Sequence, residues 1–479
     1  MATFARYDAL YRGGKTFRAM LGEFLPANPM EAPRVYDLRK REAAYTSHVG
    51  PIVDFFSAQL FASPFIVRAS TAGESVDPDP FYATFREDVD EAGTDLVSYM
   101  KARFTSALVK GCSWCLAELP DDGEPAPTAR ADWDARGLGR ARLIGLDACD
   151  VLDWECDDKG ALSWAITFKS EKRRDDPRLA RTLTTDTWKL YDVENVETFQ
   201  VTYDAKKRRP KNEDVIASLG CGPHRFARVP LVPLRFPDGL WLLNRASDAQ
   251  EEHFRLSAAE SWAIKRTCYP QLIYKTSDDK DLPTTGPGYA LRIGEKDTLE
   301  WVSPDTAAFE SLAAKVKAKE TELYRVANQM AHSVDNSAAA LGRSGESKAA
   351  DNASTEVCLH AYAALVRATI EDVYELVSDA RGDTDVVFSI EGMDKFSLAD
   401  VTTSLANIAS AKALGIDSPT LAIELACKAA DMLLPGASQP IKDSIRDEIQ
   451  TAGTKPEPAP PAAPVTDETP EDASSKPTA

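Results

Sequence analysis

Between residues 241 and 382 the chain reads as long helix, broken extended segment, long helix, small-residue loop, long helix. Helices of that length, separated by a segment too polar and too small to pack, suit a ring or tube better than a globular core. The first lies in LLNRASDAQEEHFRLSAAESWAIKRTCYPQLIY and runs up to Pro270. After it, TSDDKDLPTTGPGYALRIGEKDTLEWV is acidic and rich in turn residues, with short β-prone pieces at 271–274 and 289–293. Ser303 followed by Pro304 is a cap and a first-turn proline, so a second helix begins there. Phe309, Leu312, Val316, Leu323, Val326 and Met330 recur along it at three- and four-residue steps, interrupted by Lys319. Such a stripe packs on a neighbouring helix. Unbroken, this helix is about 30 residues, or roughly 45 Å, long. HSVDNSAAALGRSGESKAADNAS then carries almost nothing larger than alanine apart from Val334 and Leu341, which predicts a loop that is mobile or shaped by partners. Ser354 or Thr355 caps the third helix, striped by Leu365, Thr369, Val373, Leu376 and Ala380 and ended by Gly382.

At 479 residues and 43% hydrophobic composition the chain can bury a sizeable core across two to four structural regions. Its net charge of −19 repels a phosphate backbone, so any contact with DNA is local or weak. The opening MATFARYDALYRGGKTF lacks a signal peptide's apolar stretch, and no apolar run is long enough to span a bilayer; synthesis in the cytoplasm is expected. Eight scattered cysteines suit reduced thiols. Cys112 and Cys115 form the only CxxC, with Cys149 and Cys156 further on, but the flanking residues read as a strand, where positions three apart point to opposite faces. Buried structural cysteines are expected there rather than a zinc knuckle.

Tyr7, Tyr11, Phe17 and Phe24 in residues 1–34 are spaced loosely, as in a partner contact or an irregular arm. VYDLRKREAAYTSHVGPIVDFFSAQLFA is helical, kinked or divided at Pro51, and Thr94 is placed to cap TDLVSYMKARFTSALVKG. Residues 141–204 alternate apolar and polar side chains between Asp, Gly and Asn, the pattern of a half-buried antiparallel sheet. RVPLVPLRFPDG closes that region with prolines that forbid a central strand. Near the end come the strand DVVFSI, the helices SLADVTTSLANIASAKALG and SPTLAIELACKAADML around GIDSP, a shorter helix over 439–450, and a proline-rich acidic tail.

Four places resemble the portal proteins of tailed bacteriophages, rings at the capsid vertex through which DNA enters and leaves. They are RKREAAYTSHVGPIVDFFSAQLFASPF, the RVPLVPLRFPDG entry to a long helix, EWVSPDTAAFESLAAKVKAKETELYRVANQMA followed by SGESKAADNASTE, and ALGIDSPTLAIEL. The resemblance lies in their order over roughly residues 35–450, and not in a catalytic signature. It implies an α+β, helix-rich subunit: an N-terminal arm (1–34), a wing (35–240), a stem helix (241–269), a clip (270–302), a second stem helix (303–332), a tunnel loop (333–354), a wing helix and strand (355–396), a crown (397–453) and a disordered tail (454–479). It further implies a homo-oligomeric ring, typically twelvefold, that passes double-stranded DNA without sequence specificity. The implied partners are the terminase large subunit, head-completion or adaptor proteins, the major capsid protein and scaffold. The implied location is the virion, reached from the host cytoplasm, with no membrane and no cofactor.

An acidic lining lowers friction on DNA, with a few cations making transient phosphate contacts. The candidates are Arg343 and Lys348, in a loop whose Ser337, Ala340, Gly342, Ser344 and Gly345 would face DNA, and Lys315, Lys317 and Lys319 on the second stem helix. Asp278, Asp279, Lys280 and Asp281 are candidates for partner docking on the clip. Solvated loop and helix charges are the competing reading of each.

An enzyme is the rival class. GGKT at 13–16 resembles the end of a phosphate loop, but Ala9 stands where the first glycine is required. His48, His224, His253, His332 and His360 form no HExxH, and RSGES lacks GxSxG geometry. No intrinsic catalysis is expected. An oligomeric phage structural or scaffolding protein without a channel is the third class.

Overall fold

The chain divides into two compact units, residues 1–397 and 398–479. The computed structural model describes residues 2–62, 65–71, 80–120, 130–174, 182–205, 217–267, 271–275, 298–302, 307–327, 345–383, 386–393, 396, 408–411, 418–434 and 439–453.

The N-terminal residues are not an arm. They fold into α1 (Ala2–Arg12), α2 (Gly14–Ala19) and α3 (Leu21–Phe24), with Tyr7, Phe17 and Phe24 buried. Phe17 lies flat between Phe24 and Tyr45, at ring-centroid distances of 4.5 and 3.7 Å, and meets Phe254 edge-on at 4.9 Å. Phe17 and Tyr7 are thus matched by rings from elsewhere in the chain, Tyr45, Phe254 and Trp241, which local periodicity does not register. GGKT sits at the α1–α2 junction with no strand before it.

The helical pattern that follows is two helices, α4 (Pro33–Glu42) and α5 (Val49–Leu60). The break falls before Pro51, which occupies the first turn of α5, where its missing N–H removes no hydrogen bond. α5 is capped from a distance: the fully buried Gln250 accepts from the backbone N–H groups of His48 and Val49 at 2.9 and 3.3 Å and donates to the Thr46 carbonyl at 3.1 Å. β1 (Ile66–Thr71) and α6 (Pro80–Glu87) lead to α7 (Leu96–Lys110). Asp95, not Thr94, caps α7, accepting from the Ser98 N–H at 2.7 Å. Thr94 is otherwise engaged, its own N–H donating to Asp90.

α7 ends at Gly111, whose φ of +78° turns the chain directly into β2 (Cys112–Glu118). β2 is the middle of a sheet ordered β3-β2-β9, and short α8 (Arg130–Ala135) precedes β3 (Arg142–Asp147). Pro233 within β9 (Leu231–Arg235), with Pro230 just before it, suits its place at the sheet edge, as expected. Because side chains alternate along a strand, Cys115 and Ala117 of β2 enter the helical core, whereas Trp114 and Leu116 face a second core. That second core is closed by an antiparallel sheet of β4 (Val151–Cys156), β5 (Leu162–Arg174), β6 (Thr182–Tyr191), β7 (Asn195–Asp204) and β8 (Ala217–Pro223), in that order. Its inner face carries the paired Ala165, Tyr191 and Val196.

The helical core is crossed by α9 (Leu242–Thr267) and by α11 (Gly345–Arg381), which is roughly 55 Å long. The α11 core face runs through Leu359, Tyr362, Val366, Ile370, Val373 and Val377, all buried; Leu365 and Ala380 of the expected stripe lie at its margin. Tyr362 is the hub, with Phe56, Phe104 and Phe236 rings at 5.9, 5.3 and 5.2 Å and its hydroxyl donating to the Leu240 carbonyl at 2.7 Å. The helix stops at Gly382, and β12 (Val386–Glu391) returns to pair antiparallel with β1.

In the second unit, Ser418 caps α12 (Pro419–Leu433), accepting from the Leu421 N–H at 3.3 Å, with Pro419 in the first turn. α13 (Gln439–Gly453) packs on it. No helix among the described residues is long and apolar enough to cross a membrane.

Candidate functional site

α9 begins inside the body and leaves it. Leu242, Leu243, Ala246, Ala249, Gln250, His253, Phe254 and Ala258 are buried along one face of the first turns, while Asn244, Arg245, Asp248, Glu252 and Arg255 on the other face are exposed. Beyond Ala258 none of its described side chains is buried, and Ile264 is 40% exposed. The chain continues into β10 (Gln271–Lys275), pairs antiparallel with β11 (Thr298–Val302) from Gln271↔Val302 to Lys275↔Thr298, and returns as α10 (Ala307–Ala327). α10 packs along α9 through Phe309, Leu312, Val316 and Leu323, the less exposed positions of a largely exposed helix. A helix pair of this kind, tipped by two strands, buries little of its outer half within one chain.

The three lysines of α10 do not share one face. Lys319 reaches back to the Glu252 carboxylate of α9 at 2.7 Å and to Glu322 at 2.8 Å, so its charge serves the helix pair. Lys315 and Lys317 are exposed. Asp278, Asp279, Lys280, Asp281, Ser337, Ala340, Gly342, Arg343 and Ser344 lie outside the described residues. Gly345 and Lys348 do not belong to a loop: the backbone is already helical from Gly345, ten residues before the expected Thr355 start. Alanine, glutamate and lysine in GESKAADNASTE favour helix whether or not that helix packs, so the absence of large apolar residues is not a loop signal.

Around the base of α9 lie ion pairs that spacing along the sequence does not disclose. Arg6 grips Glu251 with both oxygens at 2.6 and 2.7 Å, and Arg255 joins at 3.3 Å. Lys110, only 4% exposed, donates to Asp147 at 2.6 Å and stands 3.4 Å from Asp8. Burial works to raise the Asp147 pKa, but the Lys110 ammonium and Ser106 hydroxyl outweigh it and hold the carboxyl below its ordinary value. Asp150 is raised by burial and by the charge of Asp147, while its Oδ2 accepts from the Asp147 N–H at 2.8 Å.

Asp147, Cys149 and Asp150 bring ligand-type atoms within 4.8 Å of one another. The lysine already supplies the cation that Asp147 requires, and Asp150 has a backbone partner, so this cluster closes as an ion pair. Cys112 and Cys115 occupy opposite faces of β2, and burial drives their thiol pKa values up to about 12 and about 11. Inert thiols fit the structural role expected of them. A cleft of about 420 Å³ between β9 and the five-stranded sheet is lined by Trp114, Trp154, Lys159, Arg228, Arg235 and Asp372. Its arginines are engaged: Arg235 over the Trp154 ring at 5.8 Å, and Arg228 on the Asp372 carbonyl at 3.2 Å.

No protein-family model matches the chain, and no curated protein matches it in sequence. Solved structures similar to it include a chain from the neck of an empty GTA particle computed with C6 symmetry, 14% identical, with 84% of this chain and 95% of that chain covered and a TM-score of 0.45. A chain from the virion of a native gene transfer agent (GTA) particle is 13% identical, covers 85% and 96%, and has a TM-score of 0.41. A third, from the neck of a native GTA particle computed with C12 symmetry, is 13% identical, covers 86% and 99%, and has a TM-score of 0.40.

Proposed function

We propose that this chain is the subunit of a phage portal, a homo-oligomeric ring at the capsid vertex that conducts double-stranded DNA during packaging and ejection. The observation that carries the reading is the α9–α10 pair leaving the body, tipped by β10 and β11, with no described side chain of α9 beyond Ala258 buried in the single chain. Copies set side by side around an axis bury those flanks against one another. The outer face of the five-stranded sheet supports the same need for a neighbour: Trp164, Ile166 and Phe168 of β5, Trp188 and Leu190 of β6 and Phe199 of β7 share that face and are only half-buried.

In this reading α9 and α10 form the channel wall, and residues 270–302 form the surface on which the terminase large subunit, and later the head-completion proteins, dock. Residues 333–344, shortened by the early start of α11, form the constriction, with Arg343 its principal cation. The net charge of −19 suits a conduit that must release phosphates as fast as it meets them. The major capsid protein and scaffold contact the body in the virion, after assembly in the host cytoplasm. The subunit acts by positioning and conducting, without catalysis or cofactor. An oligomeric structural or scaffolding role without a channel is the competing reading.

Removing residues 338–344 from the chain in an assembling particle tests the assignment. Ring assembly is expected to persist while the amount of DNA packaged or retained falls; particles filled to the normal level contradict it.

A further inference from the structure

We propose that Lys172, Arg173 and Arg174, at the far end of β5, hold the phosphate backbone of double-stranded DNA at a surface separate from the α9–α10 pair. β5 runs on past its packed part: every residue from Lys169 to Arg174 is exposed, although the ladder to β6 continues as far as Arg174↔Thr182. The Thr182 carbonyl accepts from the Ala205 N–H at 2.8 Å, which brings the end of β7 to the same point. From Ala205 the sequence continues as Lys206-Lys207-Arg208-Arg209-Pro210-Lys211, and beyond Arg174 it carries Arg178 and Arg181. Two basic runs that are distant in sequence therefore start from one end of one sheet.

In a chain of net charge −19 such a concentration of cations stands out, and the fold does not consume it. Two carboxylates at this end are already occupied: Glu171 by Lys169 at 2.6 Å, and Asp186, 1% exposed, by Ser170 at 2.6 Å and Tyr203 at 3.2 Å. Among the described residues, no carboxylate pairs with Lys172, Arg173 or Arg174. Cations on a straight strand suit a polyphosphate. Side chains two apart share a face at about 6.6 Å, and two steps along one strand of duplex DNA advance about 6.8 Å, so Lys172 and Arg174 meet phosphates of one strand in register. Arginine adds a planar fork that takes two phosphate oxygens. Arg173 points to the opposite face and extends the patch around the end of the sheet. Contacts of this kind position a duplex and read no sequence. The acidic remainder of the chain repels the same phosphates, which confines contact to this end and makes it weak and salt-dependent. The surface stands whether or not the chain forms a ring, and its failure leaves the channel reading untouched.

Binding of the full-length protein to closed-circular duplex DNA, which has no end to thread through a channel, tests the surface. The logarithm of the affinity is expected to fall linearly with the logarithm of salt concentration, with a slope of about −3 or steeper. Lys172→Ala/Arg173→Ala/Arg174→Ala is expected to weaken binding roughly tenfold or more at ~50 mM salt and to flatten the slope by about two. All three side chains are exposed, so the variant is expected to fold as the wild type does. Arg34→Ala/Arg41→Ala/Lys101→Ala removes the same charge from exposed positions elsewhere and is expected to bind like the wild type. Unchanged affinity in the β5 variant, an equal loss in both variants, an affinity insensitive to salt, or binding to phosphatidylserine vesicles in place of DNA overturns the proposal.

Discussion

Gly111 carries two constraints at once. Its φ of +78° lets α7 turn straight into β2, and a Cβ there would sit 2.8 Å from the Trp241 ring. That ring cannot easily give way, because its Nε1 donates to the Val109 carbonyl at 3.1 Å and it meets the Tyr7 ring edge-to-face at 5.6 Å. Gly111→Ala is therefore expected to cost about 2 kcal/mol or more, read as a lower urea midpoint at unchanged slope. A wild-type midpoint would show that the turn is not tight. His48 and His253 make the second residue-scale prediction. Burial lowers both pKa values, with the charge of His48 also lowering that of His253 and Glu320 opposing, so the unfolded chain takes up their protons first. The stability they contribute is fully present above the unfolded value of about 6.5 and is lost as pH falls through the lowered folded values. The wild type should lose more stability between about pH 7.5 and 5.5 than a His48→Gln/His253→Gln variant does. Parallel losses in the two proteins would contradict the assignment. Neither histidine is conspicuous in the sequence, because the pairing joins positions that no local spacing rule connects.

Elements were legible where the signal is local and chemical. Ser418-Pro419 starts α12, Gly382 ends α11, and alternation along β5 to β7 marks a sheet with one buried face. They were illegible where stabilisation is remote or where packing and helicity part company. α1 to α3 depend on rings contributed by Tyr45 and Phe254, α5 starts where Gln250 arrives, and α11 begins in an alanine-rich stretch with no apolar stripe. Of the candidate charges, sequence placed the three α10 lysines on one helix but did not reveal that Lys319 belongs to Glu252. The outer half of α9 carries its own prediction. Ile264 is exposed in the single chain, so Ile264→Asp should leave folding and thermal stability nearly unchanged, within about 0.5 kcal/mol, while blocking self-assembly in sedimentation. Loss of the fold together with assembly would place Ile264 in the monomer core instead.

At the scale of the whole molecule, an acidic chain with an α+β body extends one helix pair whose flanks remain exposed when the chain stands alone. In the proposed ring such an extension would become a wall, and the half-buried aromatic sheet face and the Ile264 flank would be the surfaces for neighbouring copies. Negative-stain microscopy of the purified full-length protein, over a range of protein concentrations, tests the ring most directly. Closed rings with a central channel are the predicted result; a species that stays monomeric under all conditions would contradict it.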